Sequence, residues 1–351
     1  MSQKRIRHLL GEFPGDAVLI TSPKNRFYYS GFTGTEAALI ITNNENYIFT
    51  DSRYHIQARE QAADFTLIDS AKTSASDFLK QHSARHIGIE ENFMTVREYQ
   101  NLCGKLDRAT LEGISGLIQQ QRKIKDADEI TLIRRAAQIA DNAFEHIIGK
   151  IAAGRTEREL ALELEFFMRS QGAEGLSFET IFASGLRSAM PHGTASDKPL
   201  EHGDFITMDY GCLYGGYCSD MTRTVVLGHA SEQQKEIYNI VLQAQQTALK
   251  TIRAGILAKD ADKAARDIIT AAGYGKYFGH SLGHSLGLDI HEAPSLSPKS
   301  EERLCADMLI TDEPGIYIED FGGVRIEDLL LITETGCENL TSSPKKLLEI
   351  H

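Results

Sequence analysis

No apolar run in the chain is long enough to cross a bilayer as a helix, which excludes the common class of integral membrane proteins. Positive charge is short: 37 Lys and Arg against 49 Asp and Glu leave a net charge of −12. That balance argues against nucleic acid and anionic membranes as partners. Cysteine is scarce and odd in number. Cys103, Cys212, Cys218, Cys305 and Cys337 show neither zinc-ribbon spacing nor an even disulfide framework. Strand parity places Cys218 on the face of Asp220 and Cys212 on the face opposite Asp209. Free thiols in a reducing cytoplasm are therefore expected. The first residues carry charges without an apolar stretch, so no signal peptide is expected and the location is read as cytoplasmic. Low-complexity segments are also absent.

What remains is a 351-residue chain of ordinary globular composition, long enough for one large or two ordinary domains. Short apolar and β-branched runs at Ala17–Thr21, Ala37–Thr42, Tyr47–Thr50, Phe65–Ile68 and His86–Ile89 predict strands. Ser76–His82 and Val96–Leu106 predict helices, the second opening on the capping-box pair Thr95 and Glu98. Phe27, Tyr28, Tyr29, Phe32 and Tyr54 are read mainly as core or turn packing. Residues 1–118 thus form a smaller mixed α/β domain. The polar run Gln119–Lys125 reads as a solvated linker or a helix end, and a second domain covers 126–351. There the pattern helix, helix, strands, ribbon occurs twice, with cap pairs Asp126/Glu129, Thr156/Glu159 and Ser231/Gln234. The fold class is α+β with an internal pseudo-two-fold repeat.

Each repeat ends in a hairpin that carries acids. Residues 208–224 read MDYGCLYGGYCSDMTRT, with Gly215 and Gly216 at the turn. Asp209 and Asp220 are equidistant from Tyr214/Gly215, so they are expected to face each other. Residues 309–332 form a second ribbon around Gly322 and Gly323, with Glu313 and Glu327 symmetric about Asp320. Facing carboxylates repel. Two such pairs, separated by similar intervals, point to four acids gathered around cations.

Between the ribbons lies YFGHSLGHSLGLDIHEAP, residues 277–294, with His280, His284 and His291 among glycines. It is not His-Glu-x-x-His, because Ser295 stands where the second histidine belongs. It also lacks the Lys-Ser/Thr ending of a phosphate-binding loop. Close backbone approach to a site, with imidazoles delivered beside it, fits better. His192, in the turn Met190–Gly193, adds one more imidazole. Four carboxylates with histidine suit manganese, and also cobalt, iron or zinc. Two divalent ions, about 3.5–4 Å apart, would balance the charge, acidify a water and polarise a carbonyl. Hydrolysis of an amide is the expected chemistry, with a phosphoester less favoured because few Lys or Arg lie nearby beyond Arg223 and Arg325.

The segments Met208–Gly211, Ser219–Thr224, Gly283–His284, Ile290–Glu292, Glu313–Tyr317 and Val324–Asp328 resemble the pita-bread metallopeptidases, and among them the Xaa-Pro peptidases, prolidase and aminopeptidase P. Tyr29–Gly34 and Phe49–Tyr54 are similar to the creatinase-type N-terminal domain of that group. The resemblance implies metal ligation by Asp209, Asp220, His284, Glu313 and Glu327, with Asp220 and Glu327 bridging two ions. It implies proton transfer by Glu313, contacts of His192 and His291 with substrate, and substrate-binding positions for His280 and Arg325. The implied substrate is a peptide with proline second, in dipeptides or longer chains, and the implied assembly is a homodimer. Two departures stand out: Ser285 follows His284 where the family often has glycine, and no arginine follows the His291-Glu292 pair directly. A metal-independent creatinase-like amidinohydrolase and a non-catalytic binding relative are the alternatives. Both would be expected to lack ligand carboxylates that are present here.

Overall fold

Four helices begin at cap pairs spelled out by the sequence. Thr95 with Glu98, Asp126 with Glu129, Thr156 with Glu159 and Ser231 with Gln234 each form a full capping box. Each box satisfies two backbone N–H groups that the helix start would otherwise orphan. The computed structural model describes residues 2–351. It comprises two units, Met1–Arg122 and Lys123–His351. Among the described residues no helix is long and apolar enough to cross a membrane.

The first unit is a six-stranded sheet in the order Thr66–Asp69, Asn46–Thr50, Ala38–Ile41, Ala17–Ile20, His86–Ile89, Thr110–Gly113. Ala17–Ile20 is its buried centre, antiparallel to Ala38–Ile41 and parallel to His86–Ile89. The helix Pro23–Ser30 escapes sequence reading because it is short and rich in aromatics. It starts at Ser22 with Pro23 at its head and stops at left-handed Gly31. Tyr28, Tyr29 and Phe32 are core, and Tyr29 donates to Gln121 Oε1 at 2.8 Å.

The run Gln119–Lys125 is a helix end rather than a linker, but its cations are not solvated. Most of it lies in the helix Ser115–Lys123, and Arg122, Lys123 and Lys125 are all buried. Burial is tolerated because each cation has a polar partner, such as Glu302 for Lys123 and Glu292 for Lys125.

The second unit shows the repeat. Helices Ala127–Ile148 and Glu157–Ser170 pack their apolar faces with strands Phe205–Tyr210 and Met221–Leu227 in one core. Helices Glu232–Thr251 and Ala258–Ala271 do the same with Leu309–Asp312 and Asp328–Ile332 in another. The first pair of strands sits in the sheet Glu349–Ile350, Met221–Leu227, Phe205–Tyr210, Ile181–Ser184. The second pair sits in Glu292–Leu296, Gly283–Ser285, Leu309–Asp312, Asp328–Ile332, Cys337–Asn339.

The first hairpin departs from expectation by one residue. Tyr214 pairs with Tyr217, so the centre lies between Gly215 and Gly216 rather than at Tyr214/Gly215. A two-residue turn with both φ values positive (56° and 78°) is open to the two glycines and strained for tyrosine. Consequently Asp209 stands opposite Thr222, and Asp220 lies one step diagonal on the same face. In the second hairpin Gly315 pairs with Arg325 and Asp312 with Asp328. Glu313 and Glu327 therefore oppose each other in the gap between two ladder segments, centred on Asp320 as expected.

Candidate metal centre

Asp209 and Asp220 from the first hairpin, Glu313 and Glu327 from the second, and His284 from the strand Gly283–Ser285 line one cavity of about 730 Å³. His192, His280, His291 and Arg325 line the same cavity. The strands come this close because position 283 is glycine: a Cβ there would sit 2.1 Å from the Thr311 carbonyl oxygen.

His284 defines the centre. Its Nδ1 lies 3.1 Å from the Ser285 carbonyl oxygen, which can only accept, so Nδ1 carries the hydrogen. Nε2 then presents a lone pair 3.6 Å from Asp220 Oδ2 and 3.5 Å from Glu313 Oε1. Burial, helped by neighbouring His291, pushes the His284 pKa down to about 4, so these contacts are not ion pairs at neutral pH. A lone pair aimed at two carboxyl groups needs a proton on one of them or a cation between them.

The acids carry the same signature. Burial, with the charge of Asp209 adding to it, lifts Glu313 to about 8 against the opposing pull of Arg325. Asp220 is raised well above its ordinary value by burial and by Glu327, Asp209 and Glu313. Glu327 is raised by burial and by Glu313 and Asp209. Asp209 Oδ1 and Asp220 Oδ1 are buried with no hydrogen-bond partner. Asp220, His284 and Glu327 offer donor atoms all within 4.8 Å of one another. Orphaned oxygens, a deprotonated imidazole nitrogen and mutually repelling acids fit a hard divalent cation.

A family model described as metallopeptidase family M24 matches residues 131–334, and one described as creatinase/prolidase N-terminal domain matches residues 3–124. The chain belongs to metallopeptidase family M24. A solved Xaa-Pro dipeptidase from Bacillus anthracis is 45% identical, with 99% of each chain covered and a TM-score of 0.96. An X-Pro aminopeptidase from Thermotoga maritima is 38% identical, covering 97% of this chain and 99% of the other, with a TM-score of 0.93. The prolidase from Pyrococcus horikoshii is 40% identical over 98% of this chain and 99% of its own, with a TM-score of 0.92. The fold of the second unit is accordingly the pita-bread fold. As an M24 metallopeptidase the protein uses divalent metal.

Several partners of this M24 centre were not singled out in the sequence. Thr222 Oγ1 donates to Glu327 Oε2 at 2.6 Å, and Thr311 Oγ1 donates to Glu313 Oε1 at 3.1 Å. Each threonine lies two residues from an acid, Asp220 or Glu313, a spacing that shares a strand face and could have revealed both. Arg325 donates through Nη2 to Asp209 Oδ2 at 2.6 Å, through Nη1 to Tyr317 Oη at 2.7 Å and through Nε to Thr222 Oγ1 at 3.0 Å. Tyr317 Oη in turn lies 2.9 Å from His280 Nε2, whose Nδ1 is 2.8 Å from the Ser281 carbonyl. Arg325, expected at the substrate, thus spends most of its donors on protein groups.

Proposed function

We propose that this chain is a metal-dependent Xaa-Pro exopeptidase that hydrolyses the bond between an N-terminal residue and a following proline. The observation that carries the proposal is the convergence of four carboxylates and one neutral imidazole on a single cavity in an M24 chain. Close structural neighbours named for Xaa-Pro cleavage support it. Asp209, Asp220, His284, Glu313 and Glu327 would hold the metal. The charge of four acids is balanced by two divalent ions, and manganese heads the candidates, before cobalt, zinc and iron. When bound, such ions acidify a water and polarise the scissile carbonyl.

The residues of the chain supply the rest. The Glu313 carboxylate, poised by burial, takes a proton as the nucleophile attacks and returns it to the proline nitrogen as the C–N bond breaks. That nitrogen has no hydrogen of its own in the peptide, so it must receive one to leave. His192 and His291, which line the cavity, would hydrogen-bond the carbonyl oxygen, and His280, held by Tyr317, would border the pocket for the residue beside the scissile bond. Arg325 orients Asp209. We read residues 1–118 as the creatinase-type domain and 126–351 as the catalytic one. We further propose a cytoplasmic homodimer, with five free cysteines in keeping with a reducing compartment.

The test is release of proline from Ala-Pro, and of alanine from a longer Ala-Pro peptide, with manganese added or chelated. Cleavage of either, lost on chelation and regained with manganese, is expected. Metal-independent cleavage, or none with any of the four metals, would sink the proposal. The ratio of the two rates sets the length preference.

A further inference from the structure

The strand Gly283–Ser285 and its neighbour Glu292–Leu296 do not run in simple register. His284 stands opposite Ser295, but Ser285 stands opposite Glu292, so the ladder slips by two residues at the metal histidine. A slip of this kind leaves residues of one strand unpaired and re-aims the side chains beside it. The slip falls between two of the site's imidazoles: His284 precedes Ser285, His291 precedes Glu292, and their rings lie 4.5 Å apart at 73°.

One buried ammonium touches both members of the slipped pair. Lys125 Nζ donates to Ser285 Oγ at 3.3 Å and to Glu292 Oε2 at 3.2 Å, with the Lys123 carbonyl as a third acceptor at 3.4 Å. The lysine side chain is 1% exposed and that of Glu292 is 9% exposed. The base of the lysine is held too. Its own N–H donates to the Asp307 carbonyl at 2.9 Å, and the next residue, Asp126, caps the helix Ala127–Ile148. Glu292 Oε1 accepts from the Asp289 N–H at 3.1 Å, and the Cys218 N–H bonds the Gly287 carbonyl at 2.8 Å, tying this loop to the first hairpin. There is little slack: a Cβ on Gly287 would lie 3.0 Å from Glu292 oxygens and 3.1 Å from Lys125 Cε.

Resting on the peptidase function proposed above, we infer that Lys125 is a positioning residue that sets two of the site's four imidazoles, His284 and His291, relative to each other. Through Ser285 it fixes the residue whose carbonyl orients His284 at Nδ1. Through Glu292 it fixes the residue adjoining His291. A buried charge pair is commonly no more stable than an apolar pair of the same volume, so its use here lies in geometry. Ser285, the departure from the glycine common in the family, acquires a role as the acceptor that extends this clamp to the metal histidine.

The test uses the full chain and three measurements: manganese affinity by calorimetry, kcat and KM at saturating manganese, and melting temperature. The double variant Lys125→Met/Glu292→Gln removes both charges without leaving one alone in the interior. It should melt close to the parent, bind manganese about tenfold or more weakly and lose about tenfold in kcat, as loss of an outer partner of a metal ligand does. Ser285→Ala removes one hydroxyl only, and should weaken manganese binding several-fold while recovering parent kcat once manganese saturates. Parent-like manganese affinity and kcat in the double variant would overturn the inference; if that variant does not fold, parent-like affinity in Ser285→Ala would do so. A parent chain that binds no manganese and cuts no Xaa-Pro bond would instead refute the function itself.

Discussion

Thr222 of the first hairpin donates its hydroxyl to Glu327 of the second at 2.6 Å, while accepting from Arg325 Nε at 3.0 Å. This one hydroxyl joins the two halves of the repeat at the metal centre. Thr222→Val keeps the shape and removes both bonds. It should cost about 1–3 kcal/mol of stability, the price of leaving buried polar partners unsatisfied, and weaken metal binding about tenfold. Urea unfolding and manganese calorimetry check this, and a variant with parent affinity would show that Glu327 needs no such support.

Asp220→Asn separates function from stability. Turnover should fall at least about a hundredfold, because a buried ligand oxygen is replaced by an amide. In the metal-free chain the same change removes the cost of protonating a carboxyl whose pKa is raised well above its ordinary value by burial and by Glu327, Asp209 and Glu313. Its metal-free melting temperature should therefore equal or exceed that of the parent. A clear drop in that temperature, or retained turnover, would contradict the proposed role.

The metal-free chain should lose stability as pH rises. Glu313 holds its proton to about pH 8 in the fold against an ordinary value of 4.5, and Asp220 and Glu327 shift the same way. A carboxyl with a raised pKa contributes stability that is complete below about 4.5 and is lost as pH rises through its folded value. His280 and His284, lowered from 6.5 to about 4 by burial, act in the opposite sense, but only below pH 6.5. Between pH 6.5 and 8 the acids act alone, so melting with chelator should fall across that interval. With manganese the four carboxylates of the centre stay ionised at both pH values and the fall should shrink, leaving the part due to buried Asp312, whose pKa is also raised. Equal metal-free melting temperatures at the two pH values would refute the account.

Arg223 tests the support behind the centre. Its guanidinium is buried, donating to Asp328 Oδ1, to the Ser343 carbonyl and to the Thr222 carbonyl at 2.8, 2.8 and 2.9 Å, and also to the Glu327 carbonyl. Arg223→Met leaves Asp328 without its guanidinium partner and should cost about 3–5 kcal/mol. Denaturant unfolding measures it, and a loss under about 1 kcal/mol would mean that Gln245, Asn339 and Lys345 suffice to hold Asp328.

The amino-acid order alone determined four helix starts, through cap pairs such as Asp126/Glu129, and the pairing of Glu313 with Glu327, through symmetry about a turn. It also singled out four acids and the imidazoles His280, His284 and His291, since acids and imidazoles near glycines are rare enough to stand out, while His192 and Arg325 entered through the family resemblance. Local pattern misplaced the first hairpin by one residue, because the Gly215–Gly216 turn is chosen by backbone dihedrals rather than by the spacing of the aspartates. It read Gln119–Lys125 as solvated, because polarity in sequence does not tell whether a charge finds a partner once buried. Only the tertiary structure decided that Lys125 meets Ser285 and Glu292, that Thr222 serves Glu327, and that His284 turns a bare nitrogen toward the acids. Such contacts join residues from 29 to 167 positions apart, and no periodicity in the chain records them.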